Sequence, residues 1–395
     1  MRSKIKKIIK SILYSKYKDY LKINYNSIKN YDVLSLKNKN VFCGYYDLNP
    51  IKDGMVLVNV FDENIKDIEF GYFNLNTKNS EFTAIGKTPC CSWQQGCRLR
   101  WSNIYADCIY YNTVKNNEYV TILKNIVTNE ERVISSPLYD IDKTEKFGAS
   151  LNYSRLERLR PGYGYSIIPE SSMENAPSDD GLFLVDINNN KKELVISLDQ
   201  LSKNNDSNQQ FEHYINHLCF SSDSKKLLFF HLWNEKKNKF NWQNELGIYY
   251  LEEKKYKIIE TTDIVSHYCW IDDNRILVTI ITPFHKEKYR IYDLTDNNKY
   301  DLDDDYLRRD GHPTMIGNNI FVSDTYPNSR FIQSLFKYDI DNKDYLKLVD
   351  IYSNPNLNRE KRCDLHPKYD LKSNSVLIDS TFKRKKRSVV VLKMK

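Results

Sequence analysis

Apolar runs of three or four residues alternate with short polar turns through the C-terminal half of the chain. Four units there share one layout: a histidine opens the unit, a turn rich in Asp, Asn and Ser follows, and an apolar strand comes next. The four histidines are His217, His267, His312 and His366, which lie 50, 45 and 54 residues apart. A repeat of this length built from short strands and turns predicts a β-propeller.

Three further units precede these four, opening near Phe42, Gln95 and Gly148. The seventh unit, which opens at His366, is one strand short, and the strand Val33–Leu36 at the front of the chain is left over. Pairing the two would close the ring and remove the exposed sheet edges. We therefore predict an all-β fold, a closed seven-bladed β-propeller over residues 31–395, with no linker between globular domains.

Residues 1–30 have a different pattern. Apolar residues recur at helical spacing, with lysines between them, and they are Ile5, Ile8, Ile9, Ile12 and Leu13. This pattern predicts a short basic amphipathic helix. Two interpretations remain open: residues 1–20 lie on an anionic membrane surface, or the helix packs on the propeller or on a partner.

Charge and cysteine content exclude only a few classes of partner and site. The formal charge of +7 is spread along the whole chain, so it favours an anionic partner weakly, whether a glycan, a phosphate or an acidic membrane. The eight cysteines form no CxxC pair, which argues against a zinc ribbon. No secretory signal or membrane-spanning run is visible, so we expect a cytoplasmic protein, in one interpretation peripheral at the inner membrane face. The basic run 383–387 lacks aromatic partners, and nucleic-acid binding is not expected.

In a propeller, residues that begin the innermost strand of each blade lie at one mouth of the central channel. The four repeat histidines should therefore converge there. Candidates for substrate binding at this mouth come from the first two units: Tyr46, Arg98, Arg100 and Trp101. Several imidazoles together with the carboxylate of Asp364 can hold a divalent transition metal. The alternative is that the histidines only bond to neighbouring strands.

The segments that open on the four histidines also resemble a known family. They are Asn216–His217 through His231, Ser266–Trp270, Gly311–His312 through Asp324, and Leu365–Pro367 through Ser380. Their pattern is similar to that of the oligogalacturonate lyases, seven-bladed propellers that cleave short oligogalacturonides by β-elimination. The resemblance covers roughly residues 215–385, and the first three units match only as propeller units.

The resemblance implies a manganese site and a set of active-site residues. Its histidine ligands match His267 and His366, and a further histidine ligand is Asp364 here, while a glutamine ligand has no clear counterpart. His217 matches an active-site histidine, and Arg290 lies where the family has an arginine; His312 is a further catalytic candidate. An aspartate in place of a histidine keeps a donor atom but changes the preferred ion.

The resulting hypothesis is eliminative cleavage or modification of an anionic, uronate-containing oligosaccharide or polysaccharide. The Mn²⁺ ion and Arg290 would stabilise the developing charge, and His217 would accept the proton. Whether the chain is an enzyme stays open. The alternatives are a sugar-transferring enzyme of surface-polysaccharide biosynthesis, and a non-catalytic propeller that binds glycans or scaffolds partners. The sequence does not indicate an oligomeric state.

Overall fold

Seven antiparallel sheets surround one central axis, which confirms the predicted seven-bladed β-propeller. The computed structural model describes residues 15–62, 67–77, 80–204, 208–234, 242–383 and 386–395. The predicted amphipathic pattern at residues 5–13 lies outside these ranges. Within them, no helix is both long and apolar enough to cross a membrane.

Two strands precede the first blade: β1 (Leu21–Ile23) and β2 (Ile28–Leu34). Blade 1 consists of β3 (Asn40–Phe42), β4 (Ile51–Lys52), β5 (Met55–Phe61), β6 (Ile68–Asn74) and β7 (Phe82–Thr88). Blade 2 consists of β8 (Arg100–Trp101), β9 (Cys108–Lys115), β10 (Glu118–Asn125) and β11 (Glu131–Ile134). Blade 3 consists of β12 (Leu138–Ile141), β13 (Phe147–Ser150), β14 (Gly181–Asp186) and β15 (Lys191–Ser197).

The other four blades follow the same up-and-down order. Blade 4 is β16 (Glu212–Phe220), β17 (Lys226–Asn234), β18 (Trp242–Tyr250) and β19 (Lys255–Glu260). Blade 5 is β20 (Ile264–Trp270), β21 (Arg275–Ile281), β22 (Glu287–Asp293) and β23 (Asn298–Leu302). Blade 6 is β24 (Thr314–Gly317), β25 (Ile320–Asp324), β26 (Ile332–Asp339) and β27 (Asp344–Tyr352). Blade 7 contains β28 (Lys368–Asp370), β29 (Ser375–Ser380) and β30 (Ser388–Met394).

The second strand of each blade is buried on both faces, which explains its continuous apolar run. All six residues of β29 are buried, as are the central residues of β5 and β21. Such strands do not alternate between polar and apolar residues because both faces pack against other protein layers. The apolar runs that led to the propeller prediction are therefore the central layers of the blades.

Strand β2 completes blade 7 by pairing with β30 through six residue pairs, from Ile28↔Met394 to Leu34↔Val389. This confirms the predicted closure, although the strand is longer and earlier than Val33–Leu36. Ile28 and Leu34 are buried, and Leu34 packs in a cluster with residues of blades 1 and 7. Strand β1 adds to the outer edge of blade 6, next to β27. Strands of the propeller thus begin before residue 31.

Two short helices interrupt the strands: α1 (Tyr153–Leu159) and α2 (Leu198–Ser202). Two single 3₁₀ turns occur at Asp305–Leu307 and Arg359–Lys361. Helix α1 begins where the side chain of Asn152 accepts a hydrogen bond from the backbone N–H of Arg155. It ends before Arg160, where the chain enters a long loop that returns at β14. This loop brings Tyr163 against Tyr45 and His217 at the channel, with ring centroids 6.0 and 5.9 Å apart.

Two tyrosines that follow β3 occupy the central channel. The Tyr46 hydroxyl donates to the carbonyl oxygen of Tyr268 at 2.8 Å and accepts from its backbone N–H at 3.0 Å. Because blades 1 and 5 are not neighbours, this pair of hydrogen bonds joins the ring across its axis. The ring of Tyr45 lies beside that of Tyr46, with centroids 4.8 Å apart. The channel is thereby closed by aromatic side chains.

Candidate functional site

The four repeat histidines meet around Tyr45 and Tyr46, as the repeat predicts. Ring centroids are 6.3 Å apart for His217 and His267, 3.9 Å for His267 and His312, and 4.4 Å for His312 and His366. Each of the four side chains is at most 7% exposed. The cluster is thus a nearly buried polar site on the propeller axis.

Irregular backbone directs these side chains inward. Strand β16 has a register shift between Asn216 and Cys219, and β20 has one between Val265 and His267. His217 and His366 have left-handed backbone conformations, with φ values of 49° and 45°. Bulges turn a side chain away from the regular pleat, and a left-handed residue other than glycine is held there only by its surroundings.

Three side chains at the centre of the cluster are arranged as metal ligands. Of the residues that the structure describes, His312, Asp364 and His366 are the one group whose donor atoms lie within 4.8 Å of one another. The buried Nε2 atoms of both histidines and the Oδ1 atom of Asp364 have no hydrogen-bond partner. Buried polar atoms are normally paired, so three unpaired donor atoms in one place fit a cation between them.

The other polar atom of each ligand faces a second group. Nδ1 of His312 lies 2.9 Å from Oδ1 of Asp324, and Nδ1 of His366 lies 4.0 Å from Oδ2 of Asp379. The remaining oxygen of Asp364, Oδ2, accepts from Nε of Arg362 at 2.5 Å. Histidine ligands characteristically donate their second N–H to a carboxylate, which fixes the ring and its tautomer. His312 meets this pattern through Asp324, whereas the distance between His366 and Asp379 is too long for a hydrogen bond. The surroundings therefore fit a metal site at His312.

Protonation of the two histidines in the trio differs. Burial, followed by the positive charges around it, holds the pKa of His366 well below 6.5, so this ring is neutral. Burial also lowers the pKa of His312, but the carboxylate of Asp324 outweighs it and the net pKa is raised. A metal binds the unprotonated ring, so metal binding at His312 would release a proton.

The observed trio differs by one residue from the one that the resemblance implied. The group contains His312, whereas the resemblance implied His267. His267 instead lies 3.2 Å from Asp310 through Nδ1, and that carboxylate also accepts from Ser266 and Thr279 at 2.7 and 2.8 Å. His267 is therefore a neighbour of the trio, in contact with His312, rather than one of its three members.

His217 is held by two tyrosine hydroxyls. The hydroxyl of Tyr139 lies 3.3 Å from Nδ1, and that of Tyr45 lies 3.5 Å from Nε2. Gln95 donates to the Tyr139 hydroxyl at 2.8 Å. Burial, and then the charges of His267 and Arg160, hold the pKa of His217 well below 6.5. The ring is thus neutral, and each of its nitrogens contacts a tyrosine hydroxyl.

The four predicted substrate-binding residues occupy different places. Tyr46 lies within the cluster. Arg98 contacts Tyr139, which in turn contacts His217. The guanidinium of Arg98 donates to both oxygens of Asp47 at 3.1 and 2.9 Å and is stacked on the ring of Tyr139. Arg100 bonds to Asp140 at 2.7 Å, and Trp101 donates to the carbonyl oxygen of Pro50 within the buried core. Arg98 therefore positions Tyr139, whereas Arg100 and Trp101 do not contact the histidines.

Sequence reasoning missed the carboxylates behind the histidines. Asp324 follows His312 by 12 residues, and Asp379 follows His366 by 13. Each lies near the end of the buried second strand of its blade: Asp324 is the last residue of β25, and Asp379 is the last but one of β29. A carboxylate near the end of such a buried strand was the available signal.

Arg290 lies on β22, away from the central trio. Its guanidinium bonds to Glu260, Asp263 and Asp301 at 3.0, 2.6 and 2.6 Å. Tyr292 and Lys299 also donate to Glu260. Because carboxylates of blade 4, of blade 5 and of the segment between them bind Arg290, its geometry supports a structural role that joins these two blades.

Replacing Glu260 by glutamine should flatten the acid dependence of stability. Burial alone would raise the pKa of Glu260, but hydrogen bonds from Tyr292, Thr262 and Lys299 outweigh it and lower the pKa to about 2. The ionised form thus stabilises the fold above the unfolded pKa of about 4.5, and this contribution is lost as the pH falls towards about 2. Urea unfolding across this range should show wild type losing stability more steeply than Glu260→Gln. Parallel curves would contradict the assignment.

Comparison with known proteins identifies the fold. No protein-family profile and no curated protein sequence matches the chain. Among solved structures it is similar to an oligogalacturonate lyase in complex with manganese, with a TM-score of 0.67 and 11% identity over 96% of this chain and 98% of that chain. It is also similar to the tricorn protease, with a TM-score of 0.54 and 8% identity over 88% of this chain and 34% of that chain. A hydrazine synthase of Kuenenia stuttgartiensis is similar too, with a TM-score of 0.51 and 10% identity over 89% of this chain and 96% of that chain. At such low identities these likenesses show the propeller fold alone.

Proposed function

We propose that this propeller acts on an acidic sugar of a glycan by β-elimination, with a divalent metal at His312, Asp364 and His366. Two observations carry the proposal: His312, Asp364 and His366 bring one possible ligand atom each within 4.8 Å of the others, and each of these side chains has one buried polar atom without a hydrogen-bond partner. The likeness to a manganese-containing oligogalacturonate lyase supports the choice of metal and substrate class. A mixed set of two imidazoles and one carboxylate suits Mn²⁺ among several transition metals.

The metal, when bound, would neutralise a sugar carboxylate and acidify the adjacent C–H bond. Nε2 of His312, Nε2 of His366 and Oδ1 of Asp364 would hold it. Asp324 would keep the ring of His312 oriented, and Arg362 would keep Asp364 in place. The side chain of Arg362 is 29% exposed, so its guanidinium also meets an arriving anion.

In the proposed step, His217 accepts the proton from the carbon next to the carboxylate. The electrons of that C–H bond form a carbon–carbon double bond, and the bond to the departing sugar oxygen breaks. The departing oxygen takes up a proton, so the products are one unsaturated uronate end and one new hydroxyl. The ring of His217 is unprotonated and contacts the hydroxyls of Tyr45 and Tyr139. Because burial holds its pKa well below 6.5, His217 is a weak base, so the step requires a C–H bond that the neighbouring metal acidifies.

The test measures metal content and product together. Purified protein supplied with Mn²⁺ should retain the metal and should generate the ultraviolet absorbance of an unsaturated uronate from an acidic glycan panel. His366→Ala should lose the metal and at least about 100-fold of the activity, because it removes a ligand outright. His217→Ala should retain the metal but lose about 10²–10⁴-fold of the activity, the range for a general base.

His285→Ala is the matched control, because His285 is exposed on the turn between β21 and β22. It should behave as wild type in both assays. Metal retention that survives His366→Ala would refute the proposed ligand set. Absence of the unsaturated product across the panel, with metal bound, would refute the elimination reaction.

A second candidate is a non-catalytic glycan-binding propeller in which the metal serves stability. The low exposure of the four histidines favours it. In that case Mn²⁺ would raise the unfolding temperature of wild type, and glycan binding would survive His217→Ala without any product. The same panel thus separates the two candidates.

A further inference from the structure

Arg160 lies two side chains away from the trio, and among the described residues no carboxylate compensates its charge. Its guanidinium carbon is 4.3 Å from the centre of the Trp242 ring and 5.0 Å from that of Tyr163. Its Nε atom is buried without a hydrogen-bond partner. Within the described parts of the chain, no Asp or Glu lies at ion-pair distance from Arg160; its polar neighbour is the hydroxyl of Tyr214.

Other arginines near the channel are neutralised. Arg98 pairs with Asp47, Arg100 with Asp140, and Arg362 with Asp364. Burial lowers the pKa of Arg160 and so does the charge of Arg362, but the Tyr163 and Tyr214 hydroxyls outweigh both, so the group stays charged. A half-buried charge that lacks a counter-charge is costly, and an anionic ligand would relieve that cost.

Tyr163 connects Arg160 to the central trio. The guanidinium of Arg160 is stacked over one face of the Tyr163 ring. The Tyr163 hydroxyl accepts a hydrogen bond from Nη2 of Arg362 at 3.0 Å. Arg362 in turn bonds to Asp364. Arg160 is therefore separated from a trio member by two side chains. A guanidinium that stacks on aromatic rings keeps its N–H groups in its plane, directed past the ring edges, where they can bind a carboxylate with two hydrogen bonds.

We propose that Arg160, oriented by Trp242 and Tyr163, is a second anion-binding position that holds the carboxylate of a sugar acid next to the reacting unit. The identity of the ligand as a sugar rests on the proposed function, whereas the anion position itself rests on the geometry of Arg160. The site would accordingly prefer ligands with acidic groups on two neighbouring sugars.

The test compares D-glucuronate with D-glucose, which differ only in the carboxylate, by calorimetry without added Mn²⁺. Wild type should bind D-glucuronate more tightly than D-glucose. Arg160→Gln should weaken D-glucuronate binding at least about tenfold, as expected for a hydrogen bond to a charged group, and leave D-glucose unchanged. Arg308→Gln is the control, because its exposed side chain pairs with Asp305 on the surface.

Arg160→Lys keeps the charge but loses the planar fork, and should give an intermediate weakening; it also serves if Arg160→Gln fails to fold. Equal D-glucuronate binding by wild type and both variants would overturn the proposal. Inorganic phosphate that binds as tightly as D-glucuronate, and depends on Arg160, would overturn the assignment to a sugar acid. Loss of D-glucuronate binding in a protein whose wild type forms no unsaturated product would support the anion position and refute only the elimination reaction.

Discussion

Replacing Asp324 by alanine should lower the free energy of unfolding by about 3–5 kcal/mol, the cost of breaking a buried charge pair. One oxygen of Asp324 accepts from the backbone N–H and Nδ1 of His312 at 2.8 and 2.9 Å. The other accepts from the backbone N–H groups of Leu365 and His366, both at 3.1 Å. One carboxylate thus joins blade 6 to the start of blade 7 and holds both histidine ligands. Urea unfolding measures the loss, and titration with Mn²⁺ should show affinity weakened about 10–100-fold.

Asp324→Asn is the sharper variant, because it keeps the shape of the side chain. The amide N–H₂ of the asparagine would face N–H groups that now donate to Asp324, and two donors cannot form a hydrogen bond. We therefore expect Asp324→Asn to weaken the Mn²⁺ affinity as well. Asp303→Ala is the control, since that side chain is 91% exposed. Wild-type stability and Mn²⁺ affinity in Asp324→Asn would contradict the role assigned to this carboxylate.

Removing residues 1–35 should abolish cooperative folding, because it deletes β2 and opens the ring. The deletion leaves β30 as an exposed edge and uncovers the apolar partners of Ile28 and Leu34. Burial of two large aliphatic side chains is worth about 3–6 kcal/mol, and the lost strand hydrogen bonds add to this. The sum is comparable with the whole stability of an ordinary domain, about 5–15 kcal/mol. Thermal unfolding followed by far-ultraviolet circular dichroism would measure it.

Removing only residues 1–24 is the matched control. This deletion takes away β1, which adds to the outer edge of blade 6, but keeps β2. The shorter deletion should retain a cooperative transition. Equal unfolding midpoints for the two deletions would contradict a closure that depends on β2.

The propeller, its seven blades and its closure were predictable because each depends on a repeated local pattern. The buried second strand of a blade forms an apolar run in the sequence, and a polar turn precedes each run. This layout identifies the blades even where their sequences are not similar to one another. The last unit was one strand short in the sequence, so β30 lacked a partner on one side, and the strand left over at the front was β2. The meeting of the four histidines followed from their equivalent places in the repeat.

The chemistry of each histidine was less predictable, because it depends on side chains from other strands and blades. His267 and His312 begin their units alike, yet only His312 contacts Asp324 and belongs to the trio. The family resemblance implied a catalytic role for Arg290, but carboxylates of blade 4, of blade 5 and of the segment between them bind its guanidinium. Tyr139 reaches His217 from a different blade, and no spacing in the sequence indicates that contact.

The left-handed backbone at His217 and His366 affects how this protein can be engineered. Glycine adopts such a conformation at little cost, so glycine at either position would relieve about 1–3 kcal/mol of backbone strain. It would also leave a cavity where a buried ring now packs, at a cost of about 2–5 kcal/mol. Selection for heat resistance alone therefore gains nothing by replacing these histidines, and thermostabilising substitutions are better sought in the outer turns of the blades.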